Sequence, residues 1–198
     1  MPRPSVEAER REQILDATCA VIADSGLGGL RVSDVAKVAG LSAGTVHYYF
    51  VSKKDLVNAA FEFNFTNSLQ RRQWLLDTDD DPMTLLRHLV DSFLPNEQDD
   101  TTMRAWRVWA DLWSEGMRDP TLQEINERLY GQWRDLVADV IGKAQETGLA
   151  SPGDQVQRAD MLISMIDGLA IQHLLHSAQT SREAMRNTCH AFLRTALE

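Results

Sequence analysis

The spacing of apolar residues constrains this chain more than any other feature. They recur at helical intervals along nearly its whole length, and strand-like alternation is scarce. Ile14, Leu15, Thr18, Cys19, Val21 and Ile22 mark one face of a first helix. Breakers are few, with 11 glycines and 6 prolines among 198 residues. They fall between the periodic stretches. The pattern predicts an all-α fold of about nine helices.

The first helix starts near Val6, with Ser5 as its cap, and ends at Gly26-Leu27-Gly28-Gly29. Short helices are expected over 33–39 and 43–49, around the turn Gly40-Leu41-Ser42. Ser52 caps a long helix reaching about Leu76, and the run Asp77-Thr78-Asp79-Asp80-Asp81 breaks the chain. Pro82 suits the first turn of the next helix, capped by Asp81 and ending near Leu94. Further helices are expected over 102–117, 120–146 and 154–177. A capping box from Thr180 to Glu183 opens the last, which runs to about Ala196.

At 43% hydrophobic and 25% charged, the composition is that of an ordinary globular protein. It excludes a collagen-like, disordered or disulfide-stapled chain. No apolar run approaches the ~18 residues of a membrane span, and residues 1–7 lack a signal peptide's apolar stretch. A cytoplasmic protein with no membrane partner is expected. Cys19 and Cys189 each sit inside an apolar-periodic stretch and are expected to be buried, reduced thiols.

The net charge of −9 argues against a nucleic-acid binder when taken alone. Its distribution is uneven, however. Residues 1–56 hold seven basic and seven acidic side chains, while residues 57–198 hold 13 and 22. Two domains are expected at that division, one over 1–56 and one over 57–198.

Two short helices around a glycine turn, seated on a longer helix, describe a helix-turn-helix. Gly40 supplies the left-handed corner, and Ala36 is small where the helices pass closest. Val35, Ala39, Leu41 and Val46 face the core of the unit. The second short helix offers Ala43, Gly44, Thr45, His47, Tyr48 and Tyr49 outward. These small, hydroxyl and imidazole groups suit a duplex surface. No acid lies between Ala36 and Lys54, where a carboxylate would repel phosphate. Lys53 stands at a helix N-terminus, an unfavourable place for a cation unless a phosphate meets it.

The stretch from Val35 to Leu56 closely resembles the signature of the TetR family of transcriptional repressors, and the likeness covers about residues 10–60. The resemblance adds Ser33 to the DNA-facing set and implies a phosphate contact for Lys53. The family usually has tyrosine at the position of His47, so a histidine contact there becomes pH-sensitive. Many members have lysine where this chain has Ala43. Further on, Trp106-Arg107-Val108-Trp109-Ala110-Asp111-Leu112-Trp113, Asp119-Pro120, Trp133-Arg134 and Asp167-Gly168-Leu169 are similar to the choline-regulator, BetI-like branch. The implied architecture is a three-helix DNA-binding head on a larger helical domain that dimerises and holds an inducer. The implied function is repression at a palindromic, double-stranded operator, relieved by that small molecule. Alternatives are an activator of the same fold and a helical interaction protein that does not bind DNA.

The helix over 154–177 is apolar on most sides, which calls for cover beyond its own domain. The last helix offers Met185, Cys189, Phe192, Leu193 and Ala196 as a second stripe. By family resemblance these two helices form a four-helix homodimer interface. All five tryptophans, Trp74 among them, lie outside the head, and Trp106, Trp109 and Trp113 share one helix face. Such indoles either fill the core or wall a pocket. The candidate inducer site comprises Trp106, Trp109, Trp113 and Trp133 with Phe65, Phe93, Met165, Asp167, Gln172 and His173. Aromatic faces with nearby carboxylates suit a small organic cation such as choline, and a neutral aromatic compound is the rival.

No metal or cofactor is expected. His173 and His176 are three apart, but no third ligand lies nearby in sequence. The acidic run at 77–81 fails as a calcium loop, because Pro82 and His88 replace the required glycine and glutamate. No phosphate loop or nucleophile elbow appears, so an enzyme is not expected.

Overall fold

The computed structural model describes residues 6–76 and 78–197, without the side chains of Gln73, Trp74 and Leu76. The expected Ser5 cap, the Asp77 break and the Trp74 indole lie outside the described residues. Among those described there are nine α-helices and no strand. They are α1 (Val6–Gly29), α2 (Val32–Val38), α3 (Ala43–Tyr49), α4 (Lys53–Leu76), α5 (Pro82–Phe93), α6 (Asp100–Gly116), α7 (Pro120–Glu146), α8 (Gln155–Leu174) and α9 (Arg182–Phe192). A π-helical turn, Leu193–Leu197, follows α9. The all-α expectation holds.

Two compact units share these helices. The first contains the chain up to Ser68 and Arg104–Asn126, and the second contains Leu69–Met103 and the chain from Glu127 onward.

In the first unit, Ile14, Leu15 and Ile22 of α1, Val35 of α2, Val46 of α3 and Phe61 of α4 are all buried. The Cys19 thiol points inward and hydrogen-bonds the Ala60 carbonyl at 3.4 Å. Burial pushes this thiol up to about 12, so it stays protonated. At Gly26 (φ 72°) the helical conformation of α1 is interrupted, as the glycine cluster predicts.

In the second unit, α9 packs on both α5 and α8. Met185, Cys189, Leu193 and Leu197 are fully buried there. Met185, Cys189 and Leu193 of the expected α9 stripe thus serve the chain's own core, while Phe192 and Ala196 are half-buried. On α8, Leu162, Ile166 and Ala170 are buried while Val156 and Met161 are exposed.

The helix starts follow their caps. Asp81 accepts the Met83 and Thr84 amides, and Asp154 those of Val156 and Gln157. The α9 cap is Ser181, which accepts the Ala184 amide at 3.2 Å, one residue later than expected. The Thr180 hydroxyl turns back to the Ser177 carbonyl at 2.9 Å. The end of α8 comes three residues before the expected 177. His176 adopts a left-handed φ of 56°, and Ser177 N–H bonds the Gln172 carbonyl at 3.0 Å, closing the helix. His176 therefore lies beyond the helix and does not share its face with His173. No described helix is long and apolar enough to cross a membrane.

Candidate nucleic-acid interface and ligand-binding residues

The corner between α2 and α3 is built from the backbone. Gly40 has φ 66°, its N–H bonds the Lys37 carbonyl at 3.1 Å, and the Leu41 N–H bonds that of Ala36 at 2.8 Å. The Gln13 amide reaches from α1 to the Ala39 carbonyl at 2.7 Å and fixes the corner against the longer helix. Ser42 caps α3, accepting the Thr45 amide at 3.0 Å. Val46 is buried beneath, so α3 presents its other face to solvent.

That face carries the nominated residues. Ala43, Gly44, His47 and Tyr48 are exposed, Thr45 and Tyr49 half-buried. The Thr45 hydroxyl lies 2.9 Å from that of Ser42. Tyr48 is 77% exposed, and its ring stands edge-on to Tyr49 at 5.2 Å. Ser33 is exposed on α2 and makes no cap there. Lys53 is exposed at the start of α4, where Ser52 accepts the Asp55 amide at 3.1 Å. Its neighbour Lys54 is engaged, with Nζ 3.5 Å from Asp119 and 3.0 Å from the Thr121 hydroxyl. The two lysines thus have different occupations.

Four nominated ligand residues belong to the first unit. Trp109 and Trp113 stack on α6 with centroids 6.0 Å apart, and Trp106 lies 6.2 Å from Trp113. Phe65 and Trp106 are buried, while Trp109 and Trp113 are half-buried. The Trp113 indole donates to Asn126 Oδ1 at 3.0 Å.

The other six belong to the second unit. Phe93 and Trp133 meet edge to face at 4.6 Å. Met165 and Asp167 are half-buried on α8, and Gln172 is exposed. Burial pushes the Asp167 carboxyl up to about 7. No hydrogen bond or ion pair among the described residues reaches it. His173 is held by its own unit, its Nδ1 2.7 Å from the Thr180 carbonyl and its Nε2 3.9 Å from Glu97. No group of three metal-ligating side chains occurs among the described residues.

Comparison with known proteins decides what these features belong to. Residues 14–60 match the profile of bacterial regulatory proteins of the tetR family, and residues 82–198 that of the BetI-type transcriptional repressor C-terminal domain. The chain is 31% identical to the HTH-type transcriptional regulator BetI of Stenotrophomonas maltophilia, over 98% of this chain and 95% of that protein. The chain belongs to the TetR family. As a TetR-family protein of the BetI type it is a ligand-responsive, DNA-binding transcriptional regulator, and its relatives are regulators rather than enzymes. Among solved structures, a transcriptional regulator from Saccharomonospora viridis in complex with choline superposes with a TM-score of 0.88. It shares 30% identity, covering 96% of this chain and 97% of that one. A TetR-family regulator from Rhodococcus sp. superposes at 0.85 with 26% identity, covering 96% and 99%.

Two residues of this TetR-family chain escaped the sequence reading. Arg72, 5% exposed, lays its guanidinium over Phe93 at 4.4 Å and over Trp133 at 5.8 Å. Its Nε donates to the Ser92 hydroxyl at 2.9 Å. Both rings nominated for an inducer cation in the second unit thus already face an internal one. The other is Asp111, whose carboxylate accepts the Leu27 N–H. In sequence, one stands in the polar run Gln70-Arg71-Arg72-Gln73 and the other in the indole stretch, and neither carries a signal of burial.

Proposed function

We propose that this regulator works in the cytoplasm as a homodimer on a palindromic operator and releases it on binding a small organic cation. Residues 1–56 read the DNA, and residues 57–198 bind the ligand and the second subunit. On the DNA side, α3 enters the major groove with Ala43, Gly44, Thr45, His47, Tyr48 and Tyr49, while Ser33 and Lys53 meet the backbone. The supporting observation is the acid-free, exposed face of α3, bounded by the exposed cation of Lys53. Exposed Val156 and Met161 on α8, with Leu175 just past its end, support a partner subunit on that helix.

The cation reading rests on Asp167, a half-buried carboxylate without a partner among the described residues. The choline bound by the Saccharomonospora viridis regulator makes a quaternary ammonium the first compound to test. Tryptophan fluorescence and operator release are followed in parallel during choline titration. Quenching with release at matching concentrations supports the reading. If neutral aromatic compounds do both while choline does neither at about millimolar levels, the cation is wrong and the ligand is apolar.

A further inference from the structure

We propose that Arg11 of α1 is a further DNA-binding residue, a phosphate contact beside the C-terminal end of α3. It rests on the reading of α3 as the helix that enters the duplex. It adds a residue from another helix, standing before the stretch 14–60 that matches the family profile.

The Arg11 guanidinium lies over the Phe50 ring, 4.7 Å from its centroid. Phe50 ends α3 and is 1% exposed, so the ring is a fixed platform. Arg11 itself is exposed. Its charge is therefore held against the protein on one side and open to solvent on the other. Stacking engages the face of the guanidinium and leaves its in-plane N–H donors for an oxyanion.

No carboxylate among the described residues pairs with Arg11, not even Glu7 one turn before it on α1. Asp55, on the turn after α3, is occupied: its Oδ2 accepts the Val51 N–H at 3.3 Å. The same turn carries Val51, 93% exposed, and the exposed Lys53. Arg11 and Lys53 thus border the open turn that follows α3. Two residues beyond Arg11, Gln13 bonds the Ala39 carbonyl at the α2–α3 corner. α1 is thereby tied to the helix-turn-helix at both ends of α3, and Arg11 is in place before a duplex arrives. A cation already positioned loses little freedom on meeting its phosphate.

The test measures binding by fluorescence anisotropy at several salt concentrations. One duplex carries the intergenic DNA bordering this protein's own coding sequence, and the other is scrambled and of equal length. A phosphate contact is blind to sequence, so both duplexes report on it. Arg11→Gln should weaken binding to both about tenfold and lower the salt slope by about one unit, with wild-type circular dichroism. Arg11→Lys keeps the charge and should restore the slope, while binding more weakly than wild type because an ammonium does not stack flat. Wild-type affinity and slope in Arg11→Gln, with Lys53→Ala still impaired, overturns Arg11 and leaves the α3 reading standing. A loss of binding with unchanged slope, or a slope that lysine does not restore, marks a packing role and overturns it too. Wild-type protein that binds neither duplex removes the α3 reading and Arg11 with it.

Discussion

Asp111 Oδ1 accepts the backbone N–H of Leu27 at 3.3 Å, one residue past the interruption of α1 at Gly26. The same helix, α6, also ties Arg104 to Asp16 of α1 at 2.9 Å. The indole-bearing part of α6 is therefore fastened at two points to the helix that supports α2 and α3. Asp111→Ala leaves the Leu27 amide without its acceptor, an expected loss of about 1–2 kcal/mol in urea denaturation. Operator affinity without ligand should stay near wild type, while the ligand dose that releases DNA shifts. An unshifted dose would show that this contact carries no signal.

At the α2–α3 corner, Gly40→Ala isolates a backbone effect. A Cβ there meets nothing within 4 Å, so the cost comes from φ 66° alone. We expect a loss of roughly 1–2 kcal/mol by thermal or urea unfolding. Gly168→Ala inside α8 also meets open space but at a helical φ, and should instead stabilise the chain by up to about 1 kcal/mol. Equal effects from the two would contradict the left-handed corner.

Lys53 and Lys54 separate a DNA contact from an internal one. Lys53→Ala should weaken operator binding across all sequences and lower the salt slope by about one unit. Lys54 pairs with Asp119, so Lys54→Ala should cost less binding and leave that slope closer to wild type. Thr45→Ala and His47→Ala should weaken binding as well. Gel shifts at several salt concentrations decide, and wild-type binding by all three of Lys53, Thr45 and His47 variants would remove α3 from the interface.

Local signals in the sequence were enough to find most helix starts. Ser42, Asp81 and Asp154 cap as their residue type and position imply. The α2–α3 corner was legible because only glycine takes its φ without strain. What escaped depends on contacts distant in sequence. Arg72 reads as a solvated charge, yet it is buried over two rings supplied by α5 and α7. Met185 and Leu193 read as part of a second stripe on the last helix, and α5 and α8 pack on α9 within the chain. Periodicity shows which face of a helix is apolar, not which helix covers it.

Asp167 gives a pH signature that tells a cation from a neutral ligand. An aspartate in the unfolded chain titrates near 3.9, and burial raises this one to about 7. Between those values the folded chain keeps a proton that the unfolded chain has lost. Its contribution to stability therefore falls as pH rises from about 4 to about 7, and is level on either side. Asp167→Asn removes that slope and should raise the unfolding temperature relative to wild type above about pH 7, the gain being a few kcal/mol at most. A bound cation favours the ionised carboxylate and expels its proton. Choline affinity should then rise between about pH 6 and pH 8, with proton release seen by calorimetry in buffers of different ionisation enthalpy. The asparagine variant should bind choline more weakly and without pH dependence. A pH-independent affinity in the wild type, or undiminished choline binding by Asp167→Asn, would remove Asp167 from the ligand site.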